Sequence, residues 1–233
     1  METTPTAPLA SPVAAPAAAD LRVPPSSPGQ TIGLFGGSFN PPHLGHLHVA
    51  ETALARLALD RLWVMVTPGN PLKRRDGLPD LARRLAATRR LMDHPRITVS
   101  AFEETLGSPY SWRTVERLAA MRPGVRFVWV MGGDNLAGFH RWQHWRRIAA
   151  TLPIAVIDRS EASLSPLHSP AALTLGRWRQ PEHDAAVLVH RAAPAWVFLH
   201  APRVDLSSTD LRRRGLRSEE HTSELQSRVD ISY

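Results

Sequence analysis

The amino-acid sequence predicts an α/β protein built on a doubly wound, mostly parallel sheet with helices on both faces. Three observations predict it. Between Thr31 and about Gly215, short β-rich apolar runs alternate with stretches whose apolar residues recur at helical spacing. Glycine and proline punctuate them at Gly36-Gly37, Pro68-Gly69, His94-Pro95 and Pro123-Gly124. The chemically unusual residues fall just beyond the carboxyl ends of the predicted strands, where open α/β sheets bind their ligands.

The elements follow in order. Thr31–Phe35 is a short apolar run that ends in two glycines, and it predicts the first strand. Leu44–Leu59 carries Leu47, Ala50, Leu54 and Leu57 at helical spacing. Arg61–Val66 has the continuous apolar pattern of a buried strand. Leu78–Met92 predicts a helix, ended by His94-Pro95, and Ile97–Ser100 a short strand. Ser111–Met121 predicts a helix closed by Pro123-Gly124, and Val125–Met131 the clearest strand of the chain. Trp142–Ala150 predicts a helix, Pro153–Ile157 a strand and Ala195–Leu199 the last strand. Ser160–Ala193, with scattered prolines and little periodicity, is assigned no element. Strands alternating with helices pair in parallel and are covered on both faces, a Rossmann-like arrangement.

Composition bounds the function. The 233 residues are 43% hydrophobic and 21% charged, enough to bury a sizeable core. The absence of cysteine excludes disulfides, CxxC redox chemistry and cysteine zinc sites. No apolar run approaches the roughly 18–20 residues a membrane-spanning helix needs. Met1–Gln30 holds seven prolines and no charged leader pattern, and it predicts a disordered Ala/Pro-rich arm rather than a secretory signal. A cytoplasmic protein without a membrane partner is expected. The formal charge is +7 and almost all arginine, Lys73 being the only lysine. That balance favours anionic partners such as nucleotides and phosphates. The arginine pairs, Arg83-Arg84 and Arg146-Arg147 among them, are scattered and predict mostly solvated helix faces.

The first predicted strand runs into Gly36-Gly37-Ser38-Phe39-Asn40-Pro41-Pro42-His43-Leu44-Gly45-His46. This turn is neither GxGxxG nor a Walker A loop, since the single lysine lies far from it. The two leading glycines let the backbone approach a ligand closely. Pro41-Pro42 stiffens the entry to the helix. His43 and His46, three residues apart, share one face of the helix start, and Gly45 puts no side chain between them. A helix N-terminus favours anions. The pattern therefore points to phosphate binding; histidines that merely cap the helix, or a metal site completed by His48, are the plainer alternatives.

The segment Gly36 to His46 resembles the signature of the HxGH nucleotidyltransferases. Four further segments narrow the resemblance to the bacterial nicotinate-nucleotide adenylyltransferases. Thr67-Pro68-Gly69-Asn70-Pro71-Leu72-Lys73 resembles the loop after their second strand. Tyr110-Ser111-Trp112-Arg113-Thr114-Val115 is similar to their SYTxxTL segment, with Pro109 where the family usually has serine and Ser111 where it has threonine. Met131-Gly132-Gly133-Asp134-Asn135-Leu136, continuing to Phe139 and Trp142, resembles their GxDxL…F..W segment. Leu206-Ser207-Ser208-Thr209-Asp210-Leu211-Arg212 resembles their ISSTxIR segment. The resemblance spans about Ile32 to Arg214 in family order.

The resemblance implies transfer of AMP from ATP to the 5′-phosphate of nicotinate mononucleotide, with magnesium held mainly by substrate phosphates and no dedicated metal site on the protein. It implies that His43, His46, Lys73 and Arg212 act on the phosphates. It places ATP at Gly36, Gly37, Ser38, Phe39, Gly45, Gly132, Asp134, Ser207, Ser208 and Thr209. It places the nicotinate nucleotide at Asn40, Tyr110, Ser111 and Trp142, the tryptophan stacking on the pyridine ring. The substrates are the expected partners, together with a homo-oligomer as an open option; nucleic acid is not expected. The competing readings are a sister HxGH enzyme such as pantetheine-phosphate adenylyltransferase, a class I aminoacyl-tRNA synthetase fragment, and a non-catalytic basic nucleic-acid-binding module. The Trp142 segment and the Ser-Ser-Thr ending disfavour the first, a single lysine disfavours the KMSKS signature of the second, and scattered arginines without interleaved aromatics disfavour the third.

The expected organisation is an arm over 1–30, a nucleotidyltransferase domain over 31–216 and a separate tail over 217–233. The tail begins Arg217-Ser218-Glu219-Glu220-His221-Thr222 and breaks from the Arg/Ala-rich usage before it. It resembles an in-frame translation of a sequencing-library adapter, which predicts that it replaces a natural ending and carries no function.

Overall fold

A computed structural model describes residues 15–67, 80–158 and 165–201. Its strands are β1 (Thr31–Gly37), β2 (Arg61–Val66), β3 (Ile97–Ser100), β4 (Arg126–Gly132), β5 (Ile154–Asp158), β6 (Arg179–Gln180) and β7 (Trp196–His200). Its α-helices are α1 (Leu44–Arg56), α2 (Leu81–Leu91), α3 (Ser111–Met121), α4 (Gly133–Gly138), α5 (Trp145–Thr151) and α6 (Pro170–Thr174). The seven strands form one sheet in the order β3-β2-β1-β4-β5-β7-β6, and every pairing is parallel. The strand order reverses between β1 and β4, which opens a crevice beyond their carboxyl ends.

Alternation along each strand builds two cores. Ile32, Leu34, Trp63, Met65, Phe127, Trp129 and Met131 face one side, where Val115, Leu118, Trp145 and Ile148 of α3 and α5 cover them. Phe35, Leu62, Val64, Val128 and Val130 face the other, covered by Val49, Ala53 and Leu54 of α1 and Leu85 of α2. Strands buried on both faces read as continuous apolar runs, which is why the central strands were plain in the sequence.

Several boundaries differ from expectation. β1 continues through Gly36 and Gly37, because both glycines keep pairing with Met65 and Val66. α1 stops at Arg56, and Ala58 at φ 49° turns the chain toward β2. The helix expected over Trp142–Ala150 forms as α5, which starts only at Trp145 because Trp142 is extended, and α4, which follows β4 directly, is a helix the sequence did not predict. His144 at φ 51° is a non-helical residue that no helix can run through. Ser160–Ala193, left without structure in the sequence reading, contains α6, β6 and a 3₁₀ run over Glu182–His190.

The arm expected to be disordered up to Gln30 is ordered over residues 15–30. Ala18–Leu21 forms a 3₁₀ turn. The Asp20 carbonyl accepts hydrogen bonds from the Ala101 amide and the Ser100 hydroxyl, both at 2.8 Å. Arg89 pairs with the Asp20 carboxylate. The segment is held by bonding at the β3 edge and by Leu21 and Val23 packing against the two cores, contacts that composition alone could not show. Residues 1–14, the Lys73 loop, the Ser207–Arg212 segment and the tail from Arg217 lie outside the described residues.

Candidate active site

The Gly36–His46 turn occupies the crevice between β1 and β4. A Cβ on Gly37 would sit 3.1 Å from the Phe39 ring, and one on Gly36 would sit 3.3 Å from Trp129. These glycines therefore permit close packing within the turn itself. Phe39 takes φ 44°, in the left-handed region. For a residue with a Cβ this costs about 1–2 kcal/mol. Burial of its ring offsets that cost: Phe39 is almost fully buried, edge-on to Phe35 at 5.5 Å and 4.9 Å from the His46 ring. The Asn40–Pro41 peptide is cis.

The two histidines form a capping pair. His43 is the N-cap of α1 and is buried. The Gly45 amide donates to His43 Nδ1 at 3.1 Å, and the His43 amide donates to His46 Nδ1 at 3.3 Å. Each Nδ1 thus acts as an acceptor, so each neutral ring carries its proton on Nε2. The ring centroids lie 3.9 Å apart. The cap therefore fixes the tautomer and spacing of two Nε2–H donors at a helix N-terminus, whose field favours an anion. The capping role, one of the alternatives in the sequence, is the one these bonds show, and it engages Nδ1 of each ring.

The opposite wall is the end of β4. A Cβ on Gly132 would stand 2.6 Å from the Asp134 carboxylate, and one on Gly133 would stand 2.9 Å from the Asp158 carboxylate. The two glycines make room for two carboxylates beside the switch point. Asp134 was expected from sequence; Asp158, buried at the end of β5, was not. Its signal was available, since an acidic residue directly ends the apolar run at the neighbouring strand. Among the described residues no three His, Asp or Glu side chains gather to hold a metal ion.

Arg84 was also missed. Counted among the solvated arginine pairs, it is instead 3% exposed. Its guanidinium donates to the Ser38 carbonyl at 2.8 Å and to the Thr67 carbonyl at 2.7 Å. The Thr67 amide donates to the Gly37 carbonyl at 2.9 Å. Arg84 thereby ties the glycine-rich turn to the exit of β2, and burial lowers its pKa from the ordinary arginine value.

The third side comes from α3 and the turn after α4. Tyr110 is the N-cap of α3 and Ser111 its first residue. The Trp142 ring stands edge-on to Phe139 at 5.4 Å and to Trp129 at 6.3 Å. Trp112 bonds across to Gln143, so the Tyr110-Ser111 and Trp142 segments lie side by side. Trp145, expected in the core, is buried there. Beneath α3, the buried Glu103 carboxylate accepts a 2.8 Å bond from the Thr114 hydroxyl, and burial pushes its pKa up to about 7. The positions of Lys73, Ser207, Ser208, Thr209 and Arg212 relative to this site fall outside the described residues. No described helix is long and apolar enough to cross a membrane.

Comparison with known proteins shows the family. The cytidylyltransferase-like family matches residues 34–214. A Rhizobium meliloti protein named probable nicotinate-nucleotide adenylyltransferase is 58% identical over 181 residues, covering 78% of this chain and 96% of that protein. An Agrobacterium fabrum protein of the same name is 59% identical over 181 residues, covering 78% of this chain and 97% of its own length. Among solved structures, Plasmodium falciparum nicotinic acid mononucleotide adenylyltransferase complexed with NaAD superposes with a TM-score of 0.56 at 14% identity, over 79% of this chain and 83% of that one. At that identity the likeness is one of fold. The chain belongs to the cytidylyltransferase-like family and, within it, to the nicotinate-nucleotide adenylyltransferases.

Proposed function

We propose that this protein transfers AMP from ATP to nicotinate mononucleotide, giving nicotinate adenine dinucleotide and pyrophosphate, a step of NAD biosynthesis. A 5′-phosphate oxygen of the acceptor attacks the α-phosphorus in line, a P–O bond forms, and the bond from the α-phosphorus to the bridging oxygen breaks as pyrophosphate leaves. The acceptor phosphate is itself the nucleophile, so no enzyme nucleophile is required. Catalysis then rests on positioning and charge neutralisation. Holding two reactants in register lowers the barrier by roughly 7–11 kcal/mol.

His43 and His46 donate from Nε2 to phosphate oxygens where charge develops. The α1 N-terminus adds its field. Lys73 and Arg212 neutralise the triphosphate and the leaving pyrophosphate, with Ser207, Ser208 and Thr209 donating to phosphate oxygens. Gly36, Gly37, Ser38, Phe39, Gly45, Gly132 and Asp134 shape the ATP side. Asn40, Tyr110, Ser111 and Trp142 receive the nicotinate nucleotide, whose flat ring suits an indole face. Magnesium, carried on the triphosphate, supplies charge neutralisation there; Asp134 and Asp158 are the carboxylates at hand.

The observation that carries this reading is the histidine pair at the α1 N-terminus, whose Nδ1 atoms accept from backbone amides. The test is to identify the product by mass after incubation with ATP, magnesium and nicotinate mononucleotide. A dinucleotide from the wild type, and a loss of about 10²–10³ in kcat for a folded His46→Ala variant, are expected. Full activity in His46→Ala would refute the role of the pair.

A further inference from the structure

We propose that Trp112 is a positioning residue: it clasps the N-terminus of α3 to the turn that carries Trp142, and so sets the width of the slot for the acceptor's pyridine base. The inference rests on the functional reading above. It starts from a side chain that no motif explains. Trp112 is the residue after Ser111, and its ring is only partly buried. A half-exposed indole with no neighbours would be a liability; this one packs against the core and touches, among others, three residues that lie within five of Trp142.

Its Nε1–H donates to the Gln143 side-chain carbonyl at 3.4 Å. The His144 ring stands edge-on to it at 5.0 Å, from a residue whose left-handed backbone ends the turn. The Arg147 guanidinium lies over the indole at 4.1 Å. That guanidinium is in turn fixed by two bonds of 2.7 Å to the two carboxylate oxygens of Glu116. Glu116 is one helical turn beyond Trp112 on α3, so Arg147 grips α3 at two points. Arg113 adds a second guanidinium at 5.1 Å from the indole.

These contacts join the two segments that the nicotinate nucleotide is expected to touch, yet none of their atoms belongs to the residues proposed to bind it. The Arg147–Glu116 pair is solvent-exposed, but its planar two-bond geometry gives the guanidinium a defined orientation over the indole. Its effect is to hold the Tyr110-Ser111 backbone at a fixed separation from the Trp142 ring. Displacement of either by about an ångström misplaces the acceptor ring while leaving the histidine pair and the ATP side untouched.

The test uses the full chain as wild type, Trp112→Ala and Trp112→Phe, with hydrogen exchange of the unliganded protein and steady-state kinetics. Trp112→Ala is expected to speed exchange over 106–113 and 139–147, with no change over β1 and α1. It is expected to raise the KM for nicotinate mononucleotide by about tenfold, while the KM for ATP moves less than about twofold. Trp112→Phe keeps the stack under Arg147 and is expected to recover most of the acceptor KM. Unchanged exchange in Trp112→Ala would overturn the clasp. Parallel rises in both KM values would also overturn it, by reducing Trp112 to general stability. A wild type that makes no dinucleotide from nicotinate mononucleotide would instead defeat the functional reading, and with it the acceptor role assigned to Trp112. The exchange data would still report on the clasp.

Discussion

Replacing Glu103 by glutamine should make the protein more stable at alkaline pH and remove a defined part of its pH dependence. Glu103 is 6% exposed, and its one described hydrogen bond comes from the Thr114 hydroxyl at 2.8 Å. Burial raises its pKa from 4.5 to about 7, and the Thr114 bond opposes that rise. The sign follows from proton counting. Between about pH 4.5 and 7 the native state holds a proton that the unfolded chain has released, so raising the pH through this window weakens the native state. Above it the loss is constant. At about 1.4 kcal/mol per tenfold difference in proton affinity, the full loss is roughly 3 kcal/mol. Glutamine keeps the shape and an acceptor for Thr114 but never ionises. Urea unfolding of both proteins from pH 5 to 8.5 isolates the effect as a difference, since every other titrating group cancels. The difference should be small at pH 5 and should grow to roughly 3 kcal/mol in favour of Glu103→Gln by pH 8. A difference that stays flat across this range would refute the buried, proton-holding carboxyl.

Arg84→Met removes the buried guanidinium that donates to the Ser38 and Thr67 carbonyls, leaving two half-buried acceptors without the charged group that holds them. A loss of about 3 kcal/mol or more is expected, read by urea unfolding; a loss under about 1 kcal/mol would show that the clamp is dispensable. Asp60 should make the fold acid-sensitive. Its carboxylate accepts the Thr31 amide at 2.7 Å and the Thr31 hydroxyl at 2.9 Å, and these bonds hold its pKa below the usual aspartate value. That stabilisation is present above about pH 4 and is lost as the pH falls through the lowered value. Asp60→Asn should flatten this limb of the thermal-stability profile, and an unchanged acid limb would assign it to other groups.

The central strands and the Gly36–His46 turn were legible because each rests on local pattern: continuous apolar runs in a sheet covered on both faces, and a dense motif at a strand end. What sequence did not show depends on partners far along the chain. Arg84 reads as one of several surface arginines until the fold brings it to carbonyls at residues 38 and 67. The order of residues 15–30 comes from bonds at the β3 edge, some 80 residues on, and from Leu21 and Val23 packing against the two cores. The sequence left His43 open between a shared helix face with His46 and a helix cap, and its extended backbone makes it the cap, with its amide donating to His46 Nδ1. The break between α4 and α5 comes from the extended Trp142 and the left-handed His144, backbone states that helical spacing of apolar residues does not reveal.

The most direct test of the assigned chemistry is pyrophosphate release from ATP and magnesium, measured with nicotinate mononucleotide, nicotinamide mononucleotide and phosphopantetheine as separate acceptors. Release with the nicotinate acceptor, well above that with the amide and absent with phosphopantetheine, is the expected result. Release with phosphopantetheine, or none with any acceptor from folded protein, would contradict the assignment.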